Sequence, residues 1–216
     1  MKVVMYEDEY LFYVWKPAGI PSTFWNEKSF LEMLMEENQL FVETLKKNFS
    51  EEEEYWLLNR LDTPTSWLLY FAKNREIKEK YKELQQVWKV NKYYLAQVYW
   101  DIRYRLKDQW NTIKFPIMHH RFESDRMVVI KTEDDKWKWK GRYHNVETKI
   151  LEHERNEREN TTTIIISIHK WIRHQIRSHL SSIWYPIVWD PIYWKKKDQR
   201  RWELQLFCVG LGVKGE

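Results

Sequence analysis

Only five of the 216 residues in this chain are glycine. That leaves few places where the backbone can turn with positive φ, because only Gly takes that conformation without a Cβ clash. Average usage would supply roughly 15 in a chain of this length. The opposite excess is tryptophan, with 14 copies. A fold with ordinary turns must therefore avoid positive φ or place larger residues there.

The length suits one large domain with a sizeable core. Apolar residues make up 43% and charged residues 31%, the balance of a water-soluble globular chain. No apolar run approaches the length that spans a bilayer, so no membrane partner is expected. The opening MKVVMYEDEY turns acidic at once and lacks a signal-peptide apolar region. Cys208 is the single cysteine, which excludes a disulfide framework and fits a reducing cytoplasm. A net charge of +4 with pI near 8.9 is mildly suited to a polyanionic partner.

Residues 10–14 form an apolar run that stops at Lys16-Pro17-Ala18-Gly19, a strand followed by a loop. Helical spacing from Ser29 to Lys47 predicts a helix with Ser29 as N-cap. Residues 51–54 are an acidic run, read as a solvated loop. Strands are expected at 67–72, 92–100, 126–131 and 161–169, a charged surface helix at 74–86, and a short helix at 173–182 with Ile176 and Leu180 inward. Many strands and few helices, out of strict alternation, predict an α+β fold with a mixed, mostly antiparallel sheet. No internal repeat or linker appears, so residues 1–216 are expected to form one domain.

Three constellations could carry chemistry. In "LLNRLDTPTSWLLYFAKN", residues 57–74, Arg60 and Asp62 flank one residue and would share a face of extended backbone. Alone, Asp62 reads more readily as an Asx-turn residue above Thr-Pro-Thr-Ser. In "KWIRHQIRSHL", residues 170–180, His174, Gln175 and Arg177 crowd a helix start just after Arg173. Such a start suits phosphate, and a salt-bridged surface helix suits the same residues equally well. Tyr94, in Lys92-Tyr93-Tyr94, is by itself a packing residue of a strand. His169, His174 and His179 recur every five residues, off a single helical face, and a metal site is not expected. There is no Walker loop, no GxGxxG and no GxSxG around Ser66.

Five segments occur in order: "LFYVWKPAGIPS", "NRLDTPTSWLLYFAKN", "KYYLAQV", "RHQIRSHL" and "YPIVWDPIYW". Together they resemble the ordered motifs of the RluA-type RNA pseudouridine synthases, over about residues 10–194. The family pattern runs Lys-Pro-x-Gly, Arg-Leu-Asp-x-x-Thr-Ser-Gly, Lys-x-Tyr, His-Gln-Ile-Arg and Gly-x-Pro-Ile-x-Gly-Asp-x-x-Tyr-Gly. Asn59 departs from it, standing where His commonly precedes the Arg-Leu-Asp triplet. The resemblance implies a catalytic domain with a central cleft; since only about a strand precedes Lys-Pro-Ala-Gly, no separate S4-like RNA-binding domain is expected. It implies isomerisation of uridine to pseudouridine in ribosomal or transfer RNA, with no cofactor and no metal; independently of it, a monomer in the cytoplasm is expected. Asp62 would be the nucleophile, Tyr94 would stack on the base and help remove the C5 proton, and Arg177 would pair with Asp62. Arg60 would hold the flipped nucleotide or the vacated space. Lys16, Arg173, His174 and Gln175 would serve the RNA, Lys16 and Arg173 through backbone phosphate. The alternatives are a non-catalytic RNA-binding or chaperone module on the same fold, and a Trp-rich binder of carbohydrate or membrane interface.

Where this family carries Gly, the chain carries Trp at Trp67, Trp184, Trp189 and Trp194, and similarly at Trp171 and Trp56. A gene that reads UGA as glycine, translated with UGA as tryptophan, would account for the excess and the shortfall together.

Overall fold

In the computed structural model, residues 5–23, 28–37, 43, 56–106, 111–194 and 203–213 are described. The chain divides into two compact units, residues 1–90 with 207–216, and residues 91–206. The predicted continuation of the first helix beyond residue 37 and the acidic run 51–54 lie outside the described residues, residue 43 apart.

In the first unit β1 (Met5–Glu7) and β2 (Leu11–Lys16) form an antiparallel pair. β2 continues antiparallel onto β3 (Ser66–Ala72), with Leu11 opposite Ala72 and Lys16 opposite Trp67. β11 (Leu206–Val213) returns from the far end of the chain and lies parallel to β3, with Phe207 opposite Ser66. Val14, Leu69, Tyr70, Phe71 and Ala72 are fully buried there. Helix α1 (Phe30–Glu37) buries Phe30, Leu31 and Leu34, at the i, i+1, i+4 spacing of one helical face. Its start is a capping box. Ser29 Oγ accepts from the Glu32 N–H at 3.2 Å, and the Glu32 carboxylate accepts from the Ser29 N–H at 2.7 Å. Helix α2 (Arg75–Gln86) is capped by Asn74, whose side chain accepts from the Ile77 N–H at 2.9 Å. Tyr81 is its only buried residue, as its charged sequence predicts.

In the second unit β4 (Val90–Tyr99) runs antiparallel to β10 (Thr161–Ile168). β9 (Thr148–Asn156) pairs with the other edge of β10, interrupted by a bulge at Ile165/Ile166, and β5 (Thr112–Ile113) closes that edge. Ile164, Ile166 and Ile168 of β10 are buried at the period of two that a half-covered strand requires. A separate three-stranded sheet has the order β7 (Met127–Val129), β6 (Ile117–His120), β8 (Trp139–His144). It shares a small core of Ile117, Met127 and Val146 with Val129 and Ile172. A short helix α3 (Arg103–Leu106) follows β4, and α4 (Gln175–Ser182) follows β10, with Ile176 and Leu180 buried as expected. The architecture is α+β with a mixed, mostly antiparallel sheet. The 126–131 strand shortens to β7: the Ile130 N–H still donates to Pro116 O at 2.9 Å, in register with the Ile117–Val129 pair, but Pro116 has no N–H to return the second bond.

Candidate active site

The first unit presents Asp62 on a turn fixed from three directions. Residues before it run beside β3, where the Leu58 N–H donates to Tyr70 O at 2.7 Å. Asn59 is buried and substitutes for a backbone rung. Its Nδ2 donates to Leu68 O at 3.1 Å, and its Oδ1 accepts from the Tyr70 N–H at 2.8 Å. The departure from His at this position therefore has its own structural use. The turn closes where the Thr65 N–H donates to Asp62 O at 2.9 Å.

The loop after β2 grips the same turn on either side of Asp62. The Ser22 hydroxyl donates to Leu61 O and accepts from the Leu61 N–H, both at 3.0 Å. Gly19, at φ +83, donates its N–H to Thr63 O at 2.9 Å. Lys16 is fully buried, and its ammonium donates to Pro17 O (2.8 Å), Ile20 O (2.7 Å) and Thr63 O (3.3 Å). Burial pushes its pKa down to about 8, and the charge of Asp62 pulls it back up. The expected phosphate contact from Lys16 is thus replaced by an internal one. An ammonium enclosed by three carbonyls braces the turn that carries Asp62 and does not face solvent. Arg60 is exposed and Asp62 half-buried.

The second unit holds Tyr94, Arg177, Arg173, His174 and Gln175. Tyr94 is buried in β4, opposite Ile166, on the same face as Lys92 and Ala96. Arg177 is buried on α4 and forks onto Asp190, Nε to Oδ2 and Nη2 to Oδ1, both at 2.9 Å. Asp190 also accepts from the Ile192 N–H at 2.9 Å and the Tyr193 N–H at 3.0 Å. The carboxylate thereby fixes both the guanidinium and the loop beyond it. The Tyr193 hydroxyl accepts from the Met127 N–H at 2.9 Å and lies 3.3 Å from His174 Nδ1. Gln175 accepts from the Ile172 N–H at 3.1 Å and donates to Glu147 O at 2.9 Å.

These bonds revise the expectation for the start of α4. His174 and Gln175 are buried, with His174 Nδ1 beside the Tyr193 hydroxyl and Gln175 bonded to Ile172 and Glu147. Arg173 is exposed and donates to Ser124 O at 3.0 Å. Sequence reasoning assigned no role to Asp190, Tyr193 or Ser22. Their signal lay in the quoted motifs, and only folding shows what each one bonds. His179, the remaining histidine of this segment, is held neutral. Burial pushes its pKa down to about 4, with Nδ1 2.8 Å from Thr148 Oγ1 and Nε2 2.8 Å from Phe115 O.

In the first unit the Asp62 carboxylate sits on a braced turn, and in the second Tyr94 and the Arg177 guanidinium are buried, residue types suited to covalent or proton-transfer chemistry. Comparisons with known proteins bear on the family. The family model for RNA pseudouridylate synthase matches residues 10–182. The ribosomal large subunit pseudouridine synthase D of Pseudomonas aeruginosa is 26% identical over 193 residues, covering 88% of this chain and 52% of that protein. The enzyme of the same name from Nitrosomonas europaea is 28% identical over 195 residues, covering 88% and 49%. An uncharacterized RNA pseudouridine synthase of Aquifex aeolicus is 26% identical over 193 residues, covering 88% and 55%. The chain thus spans about half the length of the curated relatives it matches. Among solved structures, human RNA pseudouridylate synthase domain containing 1 superposes with a TM-score of 0.71 at 18% identity, covering 98% of this chain and 78% of that one. That likeness establishes the fold. The motifs, the family match over most of the length and the fold converge, and the chain belongs to the RNA pseudouridylate synthase family, of RluA type.

Proposed function

We propose that this chain isomerises uridine to pseudouridine within RNA, with Asp62 as nucleophile. The observation that carries the reading is the bracing of the Asp62 turn by Ser22, Gly19 and Lys16. A carboxylate that only closed a turn would not need bonds to a second loop on both flanking residues. The target uridine must leave its stack before its glycosidic bond is accessible. Asp62 then attacks C1′ or takes the C2′ proton, and the N1–C1′ bond breaks. The uracil rotates and bonds C1′ through C5, which displaces the Asp62 ester in the first route and is accompanied by return of the proton to C2′ in the second. The C5 proton leaves and N1 gains one, so the product is an isomer of the substrate and no electrons are exchanged. Tyr94 stacks on the base and assists at C5. Arg177, already aligned by Asp190, supplies fixed positive charge. Exposed Arg60 holds the flipped nucleotide or the space it vacates, and exposed Arg173 meets backbone phosphate.

The substrate is structured RNA. Ribosomal RNA of the large subunit is the first to test, because it appears in the names of the relatives from Pseudomonas and Nitrosomonas; transfer RNA is the second. The test is pseudouridine mapping on both RNAs incubated with the protein and with Asp62→Ala. New pseudouridine that disappears in the variant supports the reaction and the nucleophile. Binding of RNA without modification by the folded protein refutes it in favour of a non-catalytic RNA-binding module.

A further inference from the structure

Among the described residues, eight that are not glycine have positive φ, and six of them are tryptophan: Trp56 (57°), Trp67 (84°), Trp88 (59°), Trp100 (67°), Trp184 (72°) and Trp189 (63°). The other two, Asn160 and His174, are of types that visit the left-handed region most readily. Tryptophan has no such tolerance. Its Cβ meets the neighbouring carbonyl as any L-residue does, and its side chain offers no local hydrogen bond in return. Trp makes up 14 of 216 residues yet fills six of these eight places, so chance does not account for the distribution.

The local hydrogen bonds show what each position requires. After α2, with Val87 as C-cap, the Trp88 N–H donates to Gln85 O at 3.1 Å and the Lys89 N–H to Leu84 O at 2.9 Å. After α4, with Ile183 as C-cap, the Trp184 N–H donates to Ser181 O at 3.1 Å and the Tyr185 N–H to Leu180 O at 3.0 Å. Both are complete Schellman motifs, and in each the tryptophan holds the left-handed position that Gly normally fills. Trp189 is third in a turn closed by the Asp190 N–H onto Ile187 O at 3.2 Å, where positive φ again selects Gly. Trp88 and Trp100 were not singled out by any sequence motif above. The backbone identifies them independently.

We propose that residues 56, 67, 88, 100, 184 and 189 are glycine in the protein as its own cells make it, each encoded by UGA read as glycine. The inference stands on backbone geometry and does not depend on the catalytic reading. It changes the picture of the site none the less. Trp67 opens β3 directly after the Asp62 turn, its indole against Trp15 (centroids 4.8 Å apart) and Phe207 (4.6 Å). Trp189 immediately precedes Asp190. Gly at both places removes two indoles from the segments that carry Asp62 and the partner of Arg177.

The test is peptide mass spectrometry of the protein isolated from its source cells, together with the codons of its gene. Glycine at all six positions, each encoded by UGA, is the expected result. Tryptophan in any of the six peptides, or UGG at any of the six codons, overturns the proposal. Neither readout requires the protein to be active.

Discussion

Replacing Trp184 by Gly isolates the backbone argument in one measurement, because this indole has almost no packing to lose. Trp184 is 79% exposed and follows α4 at φ 72°. An L-residue in that region costs about 1–2 kcal/mol, a cost that Gly escapes. Gly also enlarges the unfolded ensemble, which takes back about 0.4–1 kcal/mol. The burial term is near zero, since a denatured chain already hides roughly 10–40% of such surface. The net expectation is a gain of about 1 kcal/mol and a rise in Tm of about 2–4 °C for a chain of this size. Trp184→Ala is the control: it removes the indole and keeps the Cβ, so the strain persists and the gain is absent. Thermal and urea unfolding of the parent and both variants decide the matter. If Trp184→Gly is no more stable than Trp184→Ala, the strain argument fails at the place where it is cleanest.

Further expectations follow from the bonds around the site. Lys16→Met keeps the buried stem and removes the ammonium, so kcat should fall about a hundredfold through a misplaced Asp62, with RNA affinity unchanged. A phosphate contact would instead lower the salt slope of binding by about 1, and that result would refute the bracing role. Asp190→Asn strips the charge from a fully buried pair and should cost about 3–5 kcal/mol in urea unfolding; a loss under about 1 kcal/mol would mean that the fork onto Arg177 contributes little. His179 has a folded pKa of about 4, below the ordinary 6.5. Between those values the unfolded state binds the proton and the folded state does not. Its contribution is therefore complete above pH 6.5 and is lost as pH falls towards 4, about 3 kcal/mol in all. The urea midpoint of His179→Gln should lack that acid slope, and an unchanged slope would assign it to other groups.

Local pattern made much of the architecture legible. The period-two runs of β4 and β10, the charge of α2 and the Ser29 capping box are short-range features, set by backbone geometry and by which face can be buried. The site was legible only as an ordered set of motifs, since Asp62 alone is an ordinary turn residue and Tyr94 alone is ordinary strand packing. Charge and polarity in a sequence suggest solvent and ligands, yet Lys16, His174 and Gln175 are all buried and bonded within the chain. Whether such a group meets phosphate or a carbonyl depends on which distant segment folds over it. Thr63 lies 47 residues from Lys16, and Glu147 lies 28 from Gln175.

The sequence by itself determined β2, β3, β4, β10, the helices α1, α2 and α4, and the family, because each is written in local spacing or in ordered short motifs. The tertiary structure decided which carboxylate Arg177 grips among the residues of its unit, and which loop steadies Asp62. It also decided which tryptophans occupy backbone that only glycine fits. These depend on contacts between remote segments and on the sign of φ, and neither quantity exists until the chain has folded.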